Sequence, residues 1–314
     1  MIRMLVVAVM MLVARPVVAE SPPTFLAHYY DPGFDRVSQM ALGPDGRVYL
    51  ADAYNGRLVM LNQNGTNAGT IGGTSGFGVP SGVVFDAAGN LYVADQSRGK
   101  IYKFESNTLS PLGAMGSPGS GPGQLGSPTN LAVSPDQSKL YVTELTNHRV
   151  SIFTLAGAFV ASFGSPGSAA GQFDHPFGIA VNAAGEVFVA DQVNNRIQRF
   201  DANGNSLGGW GSPGSGPGEF NYVVGLAFDA AGDLYATDQL NNRVQKFRAD
   251  GAFLTAWGTF GGGNGQFYNP WCVLALPGMK VWVGDTFNDR ISAYQTVSTP
   301  ALGRSWGSIK ADYR

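Results

Sequence analysis

Short apolar runs of about five residues, parted by glycine-bearing turns, recur along the chain from residue 34 onward. One stretch shows the pattern. Residues Gly225 to Asp229 form an apolar run that stops at Ala230-Ala231-Gly232, where glycine permits a positive φ. Leu234 to Asp238 is a second run, ending in an acid, and Gln239 to Asn242 is a loop. Arg243 to Phe247 alternates between polar and apolar positions, Ala249-Asp250-Gly251 turns the chain, and Phe253 to Trp257 is a fourth run. This predicts four antiparallel strands of about five residues each. No segment carries a convincing helical period, so the chain beyond its first residues is predicted to be all-β.

The same unit occurs six times. Its starts are Phe34, Phe77, Leu125, Phe173, Phe220 and Phe267, spaced 43, 48, 48, 47 and 47 residues apart. The second run of each unit ends in an acid: Asp52, Asp95, Glu144, Asp191, Asp238 and Asp285. Five residues further on stands a base: Arg57, Lys100, Arg149, Arg196, Arg243 and Arg290. A fixed period of this length, with four strands per unit, predicts a six-bladed β-propeller of four-stranded blades. The repeats are placed at about 34–76, 77–124, 125–172, 173–219, 220–266 and 267–307, within one domain over 20–314.

Composition narrows the classes. Glycine supplies 44 of 314 residues and charged residues only 13%, against roughly 25% in an average domain. With 44% apolar residues the chain is not of disordered type. The single cysteine, Cys272, excludes an intramolecular disulfide framework. A net charge of −2 offers no positive field for nucleic acid. At the start, Arg3, the apolar run from Leu5 to Ala14 and the small residues Val17-Val18-Ala19 have the layout of a secretory signal peptide over 1–19, interrupted by Arg15-Pro16. Ten apolar residues are too few to span a bilayer. The expectation is a monomer exported to the periplasm or the exterior, without a membrane span once the leader is cleaved; a retained leader acting as an anchor is the alternative.

The units resemble NHL repeats. The resemblance rests on glycine-rich loops such as Gly116-Ser-Pro-Gly-Ser-Gly-Pro-Gly-Gln124 and Gly211-Ser-Pro-Gly-Ser-Gly-Pro-Gly-Glu219. It rests also on acid–loop–base elements such as Asp191-Gln-Val-Asn-Asn-Arg-Ile197 and Asp238-Gln-Leu-Asn-Asn-Arg-Val244. It covers about 34–307 and implies a six-bladed propeller. Two segments compete to complete the sixth blade, Phe25 to Tyr30 and Leu302 to Gly307. The first is favoured, because a ring tied by both chain ends leaves no open edge.

The acid–base pairs recur in every unit, so they are read as blade structure rather than catalytic groups, meeting across the loop between strands two and three. The Ser-Pro-Gly loops lack the helix and lysine of a phosphate cradle. One secreted branch of the resembling fold, the peptidyl-hydroxyglycine amidating lyases, holds zinc on histidines just after the proline that opens the first strand. The matching positions here are Ser38, Ser81, Thr129, Phe177, Val224 and Trp271. None is histidine, so neither metal nor cofactor is expected. His28, His148 and His175 are read as isolated polar residues, and Asp31, Asp35, Asp174 and Glu219 show no ligand-like clustering. No serine stands in a nucleophile-elbow setting.

The remaining candidate surface is the face that collects the loops between strands two and three. It brings Tyr54, Gln96, Arg98, Gln192, Gln239 and Phe287 together, with Asn55, Asn147, His148, Asn194 and Asn241 beside them. The starts of the first strands add Phe177, Tyr222 and Trp271 toward the axis. Uncharged amides with aromatics suit a peptide, a glycan or a protein segment. The expected function is therefore a non-enzymatic binding module. The alternative is a propeller lyase or hydrolase with its site in the central channel.

Overall fold

The computed structural model describes residues 20–296 apart from 32, 74–75 and 106–107. The leader expected at 1–19 and the competing strand at Leu302 to Gly307 lie outside the described residues. Six four-stranded antiparallel sheets follow one another, over 37–72, 80–115, 128–163, 176–210, 223–257 and 270–295, the last completed by Thr24–Tyr29. The protein is a six-bladed β-propeller, and one 3-10 turn at Thr286–Asn288 is the only helix among the described residues.

Blade 5 shows how the residues set the geometry. Its strands are Val223–Phe228, Asp233–Asp238, Arg243–Arg248 and Phe253–Trp257, running from axis to rim. The inner strand starts two residues earlier than the apolar run suggests and ends before Asp229. That residue belongs to the turn, where its carboxylate accepts the N–H groups of Ala231 and Asp233. The inner strand is irregular between Val223 and Leu226, and each of the other five inner strands slips at the same place. Such bulges raise the local twist that each blade needs to fan out from the axis. The inner strands also pack close. A Cβ on Gly178 would lie 2.0 Å from the carbonyl oxygen of Val224 in the next blade, so only glycine fits there.

Six hydrophobic clusters fill the six wedges between adjacent blades, and each holds one of the residues that open the repeats. Phe34, Phe77, Leu125, Phe173, Phe220 and Phe267 are all buried, one in each wedge. In the wedge between blades 4 and 5, Phe220 packs with Phe188, Ile197, Leu226 and Phe247. The landmark that fixes the period in sequence is thus the plug that joins one blade to the next.

The ring closes through the N-terminal strand. Thr24–Tyr29 pairs antiparallel with Arg290–Gln295 and forms the outer strand of blade 6. Blade 6 is therefore built from both ends of the described chain, which removes an exposed edge.

Candidate functional site on the loop face

The acid–base elements form a bracket under the loop face. The buried carboxylate of Asp238 accepts hydrogen bonds from Arg243 Nε at 2.7 Å, the Asn221 backbone at 2.7 Å, and the amides of Asn241 and Gln245. The terminal nitrogens of Arg243 reach the carbonyls of Ser215, Gly216 and Glu219 in the incoming glycine-rich connector. Arg57, Arg149, Arg196 and Arg290 meet Asp52, Glu144, Asp191 and Asp285 in the same way, at 2.6–2.7 Å. Burial pushes Asp191, Asp238 and Asp285 above the usual carboxylate range, against the pull of these donors. Blade 2 departs. Lys100 lies opposite Asp95 in the strand register but makes no ion pair with it, and Arg98 approaches instead, at 3.7 Å. A lysine lacks the Nε–H that the other blades use.

Above this bracket, four side chains meet at the axial mouth. The Arg36 guanidinium carbon lies 4.1 Å from the ring centre of Trp271 and 5.0 Å from that of Tyr54, and Arg36 also donates to the Tyr54 hydroxyl. Trp271 meets Phe177 edge-on at 5.4 Å. Phe177 itself is buried, so it supports Trp271 instead of facing solvent, contrary to its expected place on the surface. Gln192 and Gln239 are buried too and present little to a ligand. Tyr54, Tyr222 and Phe287 are exposed, while Gln96 and Arg98 are half-buried. Phe287 belongs to a separate stack at blade 6, with Tyr268 at 5.0 Å and then Phe260 at 5.1 Å. Arg36, Phe260 and Tyr268 were not legible as surface residues, because they stand in connectors where the strand pattern is silent.

The ring of positions that holds histidine in the amidating lyases is occupied differently here. Ser81 Oγ donates to the Pro128 carbonyl at 2.8 Å, and Thr129 shares a 2.8 Å hydrogen bond with Thr143. The Ser81 hydroxyl thus joins neighbouring inner strands, and the Thr129–Thr143 pair, which lies within blade 3, reaches the next blade through the Phe177 carbonyl, to which Thr143 donates at 2.6 Å. Below them the channel holds a cavity of about 220 Å³, lined among others by Gln39, Asn130, Leu226 and Cys272. No carboxylate or imidazole is among its lining residues. Burial pushes the Cys272 thiol up to about 12, and it donates to the Val37 carbonyl. On the opposite face a cavity of about 500 Å³ surrounds Lys246, whose Nζ lies 2.8 Å from Glu20 and 2.9 Å from Asp233.

Two histidines read from sequence as isolated come together. His148, in the loop of blade 3, and His175, at the entry to blade 4, have ring centres 4.9 Å apart. Asp174 Oδ1 lies 2.6 Å from His175 Nδ1 and 3.7 Å from His148 Nδ1. The spacing of 27 residues between them is the signal, since Asn195–Tyr222 and Asn242–Asn269 repeat it with the same kind of contact.

The sequence profile of the NHL repeat matches residues 173–200. Over 129 residues the chain is 30% identical to NHL repeat-containing protein 3 of Homo sapiens, and equally to that of Mus musculus. The match takes in 38% of this chain and spans about a third, 35%, of each relative's length. Among solved structures, virginiamycin B lyase from Staphylococcus aureus in a catalytically inactive form with quinupristin superposes with a TM-score of 0.59 at 16% identity, over 85% of this chain and 82% of that one. A Bacteroides thetaiotaomicron protein of unknown function superposes at 0.66 and 15% identity, over 90% and 75%. At such identities the likeness is one of fold alone.

Proposed function

We propose that this six-bladed β-propeller of NHL repeats is an exported binding module that takes a polypeptide segment bearing a carboxylate on its loop face. The observation that carries this is the Arg36 guanidinium held between the rings of Trp271 and Tyr54 at the axial mouth. The two rings and the hydrogen bond to the Tyr54 hydroxyl hold the guanidinium in place, and its second terminal nitrogen is left for an anionic partner. A carboxylate is the partner that a guanidinium binds most strongly, through charge-assisted hydrogen bonds. Tyr54 adds exposed aromatic surface beside it.

The lyase alternative draws on fold likeness alone. The inner cavity lacks a carboxylate or imidazole among its lining residues, and the axial hydroxyls of Ser81 and Thr143 are engaged by carbonyls of the next blade.

The test is a peptide array read with the parent chain and with Arg36→Ala and Trp271→Ala. Peptides ending in a free carboxylate or carrying acidic side chains should bind the parent, and amidated or neutral counterparts should not. Both variants should lose binding and keep the parent's melting temperature. Retention of neutral glycans with no preference for acidic peptides would overturn the reading.

A further inference from the structure

We propose that His148, Asp174 and His175 form a site for a divalent transition-metal ion of the zinc or copper class, at the loop-face junction of blades 3 and 4. The potential ligand atoms all lie within 4.8 Å of one another. A tetrahedral zinc site with bonds of about 2.0–2.1 Å sets its ligands roughly 3.3 Å apart, so the side chains need to close by no more than about 1.5 Å. Two imidazoles and one carboxylate suit zinc or copper, whereas calcium and magnesium call for oxygen ligands. The side chains of His148, Asp174 and His175 are 21%, 37% and 45% exposed, which lets an ion enter and water complete its shell.

The backbone holds this cluster ready. His148 and His175 both have left-handed φ, at 50° and 56°, and the Asp174 N–H donates to Asp191 at 2.7 Å. The His175 N–H donates to His148 Nδ1 at 3.2 Å, a bond that an ion held at Nδ1 would replace. In the next two junctions the same bond is made by Asn195 and Asn242, so an asparagine suffices for the structural contact. At the equivalents of Asp174 stand Asn221 and Tyr268, and at those of His175 stand Tyr222 and Asn269. Only the junction of blades 3 and 4 carries a metal-ligating side chain at all three positions.

The experiment is calorimetric titration of the untagged, chelator-treated chain with zinc and copper ions. One ion per chain is expected. His148→Asn and His175→Asn keep the contact that other junctions use; each removes a ligand and should weaken binding by at least the roughly 10–100-fold that loss of an outer-shell partner costs, with an unchanged melting temperature. Failure of the parent to bind stoichiometrically would overturn the assignment. So would parent-like affinity in both variants, which places the ion elsewhere, or a preference for calcium over zinc.

Discussion

Arg243 donates through Nε to Asp238 at 2.7 Å, and its other two nitrogens grip the carbonyls of Ser215, Gly216 and Glu219. The pair therefore locks a blade to the connector that feeds it. Arg243→Ala leaves a fully buried carboxylate and three carbonyls without this donor. An exposed pair is worth about 0–1 kcal/mol and a broken buried pair costs about 3–5. The Arg243 side chain is 15% exposed, so a loss of about 2–4 kcal/mol is expected, with Arg196→Ala close behind. Lys100→Ala should stay within about 0.5 kcal/mol, as an unpaired surface change does. Denaturant melts of the three variants check this. Equal stability of Arg243→Ala and Lys100→Ala would remove the structural role.

The interblade plugs give a second expectation. Phe220 is fully buried between blades 4 and 5, against Phe188 and Phe247. Phe220→Ala removes its transfer free energy and opens a cavity in a wedge that both blades share, at about 3–5 kcal/mol. Phe260→Ala, at a side chain 65% exposed, should leave the melt unchanged. A Phe220→Ala melt matching that of Phe260→Ala would mean that the wedge collapses freely.

The inner ring makes a third. Gly178→Ala would place a methyl 2.0 Å from a backbone oxygen of the next blade, which cannot yield as a flexible side chain would. Gly171 has nothing within 4 Å of its would-be Cβ, and its cost in Gly171→Ala is limited to a left-handed φ of 78°. Thermal melts should rank Gly178→Ala as the more destabilised. The reverse order would show that the inner strands can separate without loss.

The fold was legible because the repeated residues are the ones that packing and hydrogen bonding reuse. Phe173 or Phe220 fills a wedge in every copy, and Asp191 or Asp238 anchors a bracket in every copy, so six-fold repetition amplifies each signal. The site was less legible for the opposite reason. Arg36 and Trp271 meet once, across the junction of blades 6 and 1, and no period announces a contact made once. Phe177 and Gln239 border loops, so the pattern predicts them at the surface, yet packing covers both. His148 and His175 lie 27 residues apart, and only the superposition of neighbouring junctions turns that interval into a contact.

The clasp that closes the ring makes the last prediction, a dependence on pH. His28 lies in the N-terminal closing strand opposite Ser292, and its Nδ1 is 3.0 Å from the Ser292 hydroxyl. Phe25 packs on its ring at 4.6 Å. Burial, and then the charge of Arg290, lower its pKa below the ordinary 6.5, against the opposing pull of a hydrogen bond to the Asn264 side chain. A histidine with a depressed folded pKa binds its proton more readily in the unfolded chain. Its contribution to stability is therefore fully present above about pH 6.5 and is lost as pH falls from there through the lower folded value. Because the residue sits in the clasp, the loss should appear first as exchange of the amides in Thr24–Tyr29 and Arg290–Gln295. Melting temperatures and hydrogen exchange measured across this range should show the parent weakening on acidification and His28→Gln weakening less. Superimposable pH profiles for the two chains, with the closing strand equally protected throughout, would show that the ring is not fastened through a neutral His28.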